Sequence, residues 1–213
     1  LTMQTQALIT LAQWLSPSFP IGAFSYSHGL EMAVQDGTIH DAASLQAWLS
    51  DLITHGAGRT DAILLNAGFA GKGVDEVDAL ARALAPSSER LTEMTQQGAA
   101  FVRVVNDVWG HELPDLTLPV AFGAACAAQG LPVDQGAQLF LHAFVSALVS
   151  AAIRAVPLGQ TDGQRVITAL APLCHQTVTL ALSQTVDDIG SACFLADIAS
   201  MQHETLYSRM FQT

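Results

Sequence analysis

Seven histidines and a few polar segments that contain glycine are the parts of this chain whose residue types could support chemistry. A metal site needs such side chains at ligand spacing. The two His-Glu pairs, His111-Glu112 and His203-Glu204, lack the second histidine four residues on that a helical zinc site requires. This pattern favours separate structural or surface residues over a set of ligands. We therefore expect no metal site on this chain.

Nucleophilic and phosphate-binding motifs are also missing from the sequence. Ser25 and Ser27 flank Tyr26, but the G-x-S-x-G of a nucleophile elbow does not surround them. Residues 157–164, PLGQTDGQ, contain two glycines without the Gly-Lys-Ser/Thr of a phosphate-binding loop. The sequence predicts no catalytic residues, so we expect a protein that is not an enzyme. A helical enzyme with a hidden site would need a deep polar pocket with convergent titratable groups.

Polar detail without catalytic geometry suggests recognition instead. It is concentrated in three segments, which are SPSFPIGAFSYSHGLE (16–31), PLGQTDGQ (157–164) and HETLYSRMF (203–211). In the central segment, Gln160 and Gln164 offer amide donors and acceptors to a partner. The alternative is a tight turn between two helices, in which Thr161 caps a helix that opens at Asp162.

The C-terminal tail carries residues that are favoured as interface anchors. His203, Tyr207 and Arg209 follow one another at helical spacing, and tyrosine and arginine are enriched among the residues that dominate binding energy. A short tail on its own would fray, so we expect a flexible arm from about residue 203 that docks on a partner. The alternative is that Met210 and Phe211 pack back on the chain's own bundle.

Composition narrows the class of partner. The chain has 213 residues, which fits one domain, and its formal net charge is −11 with only 8 scattered basic residues against 19 acidic ones. This balance argues against nucleic acid and against an anionic membrane surface, and it suits a basic protein or a cation. Hydrophobic residues make up 50% and charged residues 13%, which leaves apolar surface for a partner to cover.

The cysteines and the apolar runs indicate a compartment. Cys126, Cys174 and Cys193 are odd in number and form no C-x-x-C, which favours a reduced, cytoplasmic setting. The most apolar run, 139–153, falls short of the roughly 20 residues that span a bilayer, so we expect a core helix. The N-terminal residues show neither a positive region nor a cleavage site, so we expect no export signal.

The spacing of apolar residues predicts an all-α fold, a single-domain bundle of about eight to ten helices. A first helix, 4–15, should place Leu8 and Leu11 on one buried face. The helix 88–108 should turn Arg90 and Glu93 outward, as an amphipathic pattern requires. Asp41 should cap one helix and Gly130 should end another. Further helices are predicted over 162–182 and 193–208, and the small-residue stretches 121–130 and 143–155 should cross at the centre.

Taken together and in this order, the three segments resemble the UreF family of urease accessory proteins. The family pattern S-P-x-x-P-I-G-x-F-S-Y-S-x-G-L-E is met at residues 16–31, and P-L-G-Q-x-x-G-Q is met at 157–164. The C-terminal pattern H-E-x-x-Y-S-R-[LM]-F-x-[ST] is met from His203 to Thr213. His28 stands where many members carry glutamine, and Gln212 with Thr213 replaces a frequent Arg-Ser.

The resemblance implies a function as well as a fold. Members are all-helical, typically homodimeric and not enzymes. They join a UreD/UreH-type protein and a nickel-carrying GTPase of UreG type to mature urease, so nickel and GTP are handled by the partner complex. We expect this chain to bind no cofactor itself and to reach the urease apoprotein through that complex. The alternative is a direct nickel carrier that uses its own histidines.

The expected partner-binding residues come from all three segments. In the family the C-terminal arm and the segment from Phe24 to Glu31 lie near the partner surfaces. The residues are Arg209, Tyr207, Glu204, His203, Phe24, Tyr26, Gln160 and Gln164.

Overall fold

Helices account for all the regular structure of the part of the chain that can be described. The computed structural model describes residues 2–212, and the motif residue Thr213 lies outside that range. Residues 2–212 form ten α-helices and two short 3-10 helices and contain no strand, which confirms the all-α prediction. The α-helices are α1 (Met3–Trp14), α2 (Leu30–Gln35), α3 (Ala42–His55), α4 (Ala57–Ala70), α5 (Val74–Ala83), α6 (Ser88–Trp109), α7 (Leu118–Gln129), α8 (Val133–Ala155), α9 (Gln160–Ala181) and α10 (Phe194–His203). The 3-10 helices are Ala23–Ser25 and Val186–Asp188.

Several helix ends lie where local sequence predicts them. The Asp41 carboxylate accepts a hydrogen bond of 2.8 Å from the backbone N–H of Ser44, which caps the start of α3. Ser87 does the same for the N–H of Arg90 at the start of α6, at 3.0 Å. Gly130 ends α7 with φ of 68°, a left-handed conformation that suits glycine. These short-range signals fix the ends of the long helices.

The most extensive helix contact joins α4 and α7, because glycines on both helices let the backbones approach. A methyl group on Gly68 would lie 2.5 Å from the carbonyl oxygen of Val120, and one on Gly123 would overlap the carbonyl oxygen of Leu65. The expectation that 121–130 and 143–155 form the central crossing is therefore corrected. α8 packs chiefly on α9 instead.

Aromatic rings orient α1 in the core. Trp14 packs edge-on against Phe101 at 5.5 Å and Phe122 at 6.0 Å between ring centroids. Leu11 is buried beside it, but Leu8 is exposed, so the predicted buried face of the first helix was partly wrong. The large indole ring occupies the core position and sets the rotation of the helix about its axis.

α8 is longer than the sequence indicated. The apolar run 139–153 lies inside a helix of 23 residues, which is the one helix in residues 2–212 that is long and apolar enough to cross a membrane. Half of its most apolar stretch is buried inside the protein. Phe140, Leu148 and Val149 are among its buried residues, and they belong to the hydrophobic core.

All three cysteines are free and buried. Burial raises the pKa of the Cys126 thiol to about 12 and that of Cys174 to about 11. Both thiols are therefore protonated at neutral pH and behave as small apolar side chains.

Candidate partner-binding site

The structure brings the first and third polar segments together at one end of the bundle. The last helix ends at His203, not at residue 208 as predicted, and residues 204–212 follow it as an irregular C-terminal arm. α10 packs on α2 and on α6, and the arm continues across the same two helices. Residues near both ends of the chain therefore form one surface.

Glu31, in the first turn of α2, holds the backbone of the arm. One carboxylate oxygen accepts the N–H of Met210 at 2.7 Å, and the other accepts the N–H of Phe211 at 3.0 Å. These bonds satisfy two backbone amide groups of the arm that no helix pairs.

The acid strength of Glu31 reflects the same contacts. Burial would raise the pKa of this carboxyl, but hydrogen bonds from His203, Met210 and Phe211 outweigh it and hold the pKa below its usual value of 4.5.

Gly29 lets α2 lie against α10, because a methyl group there would lie 2.6 Å from the backbone nitrogen of Ser200.

His203 joins the two helices beneath the arm. Its side chain is 0% exposed, its Nε2 lies 3.0 Å from a carboxylate oxygen of Glu31, and its Nδ1 lies 2.7 Å from Glu89. Carboxylates accept hydrogen bonds and do not donate them, so this geometry suits a ring with a proton on both nitrogens. Glu89 also accepts a hydrogen bond from Nη1 of Arg209 on the arm.

Glu204 fastens the start of the arm to the start of α6. Its carboxylate accepts hydrogen bonds from the backbone N–H and the hydroxyl of Ser88, each 2.8 Å long. These two bonds lower the pKa of Glu204, as expected for an acid at a helix N-terminus.

Phe211 anchors the end of the arm in the bundle. Phe211 is 4% exposed, and its ring centroid lies 4.5 Å from the guanidinium carbon of Arg154. A guanidinium nitrogen of Arg154 also donates a hydrogen bond to the carbonyl oxygen of Phe24 at 2.9 Å. The N–H of Gln212 donates to the carbonyl oxygen of Ser25 at 2.7 Å. Phe211 thus packs on its own chain, as the alternative for the tail predicted, but Met210, the other residue of that alternative, does not.

Other side chains of the two segments point outward. Phe24 is 71% exposed, Met210 is 60% exposed and Tyr207 is fully exposed. Tyr26 lies inside the protein, where its hydroxyl donates a hydrogen bond to Gln96 at 3.1 Å. Burial is the main cause that raises the pKa of Tyr26. Phe24, Tyr207 and Met210 are therefore large side chains that these two segments expose for a partner to contact, and we call them the exposed triad.

The central segment lies at the start of α9. Gln160 is the first residue of that helix and Gln164 lies one turn later, and both are exposed. Gly159 occupies the capping position, so the expectation that Thr161 caps the helix was wrong. Arg154, which contacts Phe211 of the arm, lies three residues before Pro157 in the sequence.

Sequence reasoning missed a buried ionic cluster next to this surface. Arg90 and Glu93 are buried, not outward-facing as predicted. Arg90 contacts Asp61 at 2.7 Å and Glu93 at 3.2 Å, and His28 lies 3.0 Å from Glu93. Burial raises the pKa of Asp61, whereas His28 and Arg90 outweigh burial and lower the pKa of Glu93. The i, i+3 spacing of Arg90 and Glu93 was the one available signal for this cluster.

Replacing Glu31 by glutamine should loosen the arm. We expect a loss of about 1–3 kcal/mol of unfolding free energy at pH 7, because hydrogen bonds to a charged group are replaced by weaker ones. The folded-state pKa of Glu31 lies below its unfolded value, so its contribution is present above about pH 4.5 and is lost as pH falls through the lower value. Urea unfolding at pH 7 and in acid checks both parts. An undiminished difference in acid would contradict them.

His203 does not act as a metal ligand together with its two neighbours in this arrangement. Its ring nitrogens point toward carboxylates on opposite sides, so the three groups do not converge on one point. Among residues 2–212, no group of three or more histidine, cysteine or acidic side chains is placed to hold a metal ion.

The geometry defines an all-α protein in which the N-terminal and C-terminal polar segments contact each other. Together they expose aromatic and basic side chains. The UreF family model matches residues 39–171. Urease accessory protein UreF of Roseobacter denitrificans is 50% identical over 213 residues, which cover 99% of this chain and 96% of that protein. UreF of Cereibacter sphaeroides strain KD131 is 52% identical (97% and 99%), and UreF of Ruegeria pomeroyi is 45% identical (100% and 99%).

The chain therefore belongs to the UreF family, as the three sequence segments indicated. The matched region of the family model lies between the two terminal segments, and the full-length relatives extend the similarity over both of them.

Proposed function

We propose that this chain is a non-enzymatic accessory protein of urease maturation. It assembles with a UreD/UreH-type protein and a UreG-type GTPase, so that nickel enters the urease active site in a GTP-dependent step. Family membership over nearly the whole chain supports the role in urease maturation. Nickel and GTP are handled by the partner complex, which acts on the urease apoprotein in the cytoplasm, and this chain contributes as a homodimer.

The observation that carries the proposal is the exposed triad, two of whose members lie on an arm that is docked on the bundle. The backbone of the arm is held by Glu31, and its start is held by Glu204 through Ser88. The side chains of Tyr207 and Met210 nevertheless face outward. Because the backbone of the arm is already held, a partner that binds these side chains has little backbone left to order, which favours docking.

Arg209 has a role in this surface that differs from that of Tyr207. Arg209 pairs with Glu89, so its removal would both weaken the arm and remove a charge from the surface. Tyr207 is fully exposed, so its removal should leave the folded chain intact. Tyr207→Ala is therefore the cleaner test of partner binding.

Co-purification with the two accessory proteins, followed by sizing in the presence of GTP, tests the proposal. We expect the intact chain to form a defined complex and Tyr207→Ala to weaken binding about tenfold or more, as anchor residues do. Arg209→Ala should weaken it at least as much. Arg103→Ala is the control, because Arg103 is exposed on α6 and lies outside the three polar segments.

Two results would count against the proposal. If the intact chain bound neither protein, the assembly role would fail. If it bound nickel tightly and stoichiometrically in a titration without partners, a direct nickel carrier would be the better description.

A further inference from the structure

We propose that His203 is a protonation-dependent latch for the C-terminal arm. The charged ring holds the arm on α2 and α6, and loss of its proton releases the arm. This inference deepens the proposed function, because the arm carries two members of the exposed triad. It concerns the isolated chain, so it can be tested without any partner.

The charges that face His203 come from every element packed around it. Glu31 lies on α2, Glu89 lies on α6, and Arg209 and Glu204 lie on the arm. Glu204 is occupied by Ser88 at the helix N-terminus. The remaining two carboxylates are balanced by the charged imidazole of His203 and the guanidinium of Arg209.

A neutral ring would upset this balance in a buried place. The imidazole would donate through only one nitrogen, so the other nitrogen would present a lone pair to a carboxylate oxygen about 3 Å away. Two carboxylates would then share one guanidinium. With His203 fully buried, water cannot replace the missing hydrogen bond unless the structure opens.

Opening would free the arm, because the same two carboxylates hold it. Glu31 binds the N–H groups of Met210 and Phe211, and Glu89 binds Arg209. Glu31 stays ionised across the range in which histidine titrates, since its pKa is lowered. The arm should therefore be held when the ring is charged and should loosen as pH rises and the ring loses its proton.

Hydrogen exchange of the Met210 and Phe211 amides measures the latch directly. Rates are recorded from about pH 6 to about pH 9 and divided by the rates of a free peptide with the sequence of residues 203–213, which removes the intrinsic pH dependence of exchange. We expect protection of both amides to fall about tenfold or more over this range. Protection of core amides such as that of Ile53 should not change.

Glu89→Gln is the decisive variant, because replacing buried His203 itself could unfold the chain. A glutamine amide can donate to an unprotonated ring nitrogen, and its oxygen can still accept from Arg209. The arm in this variant should therefore stay protected relative to the free peptide, with no dependence on pH. His40→Gln is the matched control. His40 also lies beside a carboxylate, 3.8 Å from Asp41, but both groups are exposed, so the pH dependence should persist.

Protection that does not change with pH in the unmodified chain would overturn the inference. So would a Glu89→Gln variant with the full pH dependence of the unmodified chain. A chain that shows the latch but binds neither accessory protein would refute the proposed function and leave the latch in place.

Discussion

Gly98→Ala is expected to lower the free energy of unfolding by about 3 kcal/mol or more. Gly98 lies on α6 at the point where residues 116–118, which lead into α7, pass against that helix. An added methyl group would overlap the carbonyl oxygen of Leu116 and would lie 2.7 Å from the nitrogen of Leu118. These are backbone atoms, and the segment is held because the N–H of Thr117 donates to Asp78 at 2.6 Å. α6 would have to move away, and α6 carries Glu89.

Gly190→Ala is the matched control for this prediction. Gly190 has open space around its Cα and no left-handed conformation, so we expect a change within about 0.5 kcal/mol. Urea unfolding followed by circular dichroism measures both variants. Equal stability of the Gly98 and Gly190 variants would show that the close approach of the two backbones is not needed.

Arg90→Met should cost about 3–5 kcal/mol, because it leaves buried acids without their main partner. Asp61 loses its 2.7 Å contact, and Glu93 keeps only His28 as a basic neighbour among its ion-pair partners in residues 2–212. Burial already raises the pKa of Asp61, and removal of Arg90 should raise it further. A carboxyl with a raised folded-state pKa destabilises the protein when it is ionised, so the deficit of the variant should shrink as pH falls from 7 toward the ordinary value of 3.8.

Arg165→Met provides the comparison for a solvated pair. Arg165 is largely exposed and Asp162 is about half exposed, so loss of this pair should change stability by less than about 1 kcal/mol. Thermal unfolding of both variants at several pH values separates the two cases. A deficit in Arg90→Met that did not depend on pH would argue against uncompensated buried acids as its cause.

The course of the helices was predictable from sequence because their ends are set by neighbours in the chain. α6 was expected over 88–108 and runs from Ser88 to Trp109. Asp41 and Gly130 act within a few residues of themselves, through a side-chain cap and a left-handed turn. Signals of this range are visible in one sequence.

The buried ionic cluster of Arg90, Glu93 and Asp61 was not predictable in the same way. An amphipathic pattern places Arg90 and Glu93 on the water side of a helix, and only a partner elsewhere in the chain makes their burial tolerable. That partner, Asp61, lies 29 residues earlier in the chain, on α4.

The candidate site was predictable as a set of segments but not as a set of contacts. The motifs pointed to Glu31, His203 and Arg209, which the structure places together. Glu89 and Arg154 were missed, because each is an ordinary charged residue on a long helix until the arm folds onto it. Gln160 and Gln164 stay predictions as partner-binding residues.

Reconstitution of urease tests the central proposal most directly. Urease apoprotein, nickel, GTP and purified UreD/UreH-type and UreG-type proteins are combined with and without this chain, and ammonia release from urea is measured. We expect activity to depend on the chain and to fall when the Tyr207→Ala variant replaces it, while the Arg103→Ala variant supports full activity. Equal activation with and without the chain would contradict its proposed role in urease maturation.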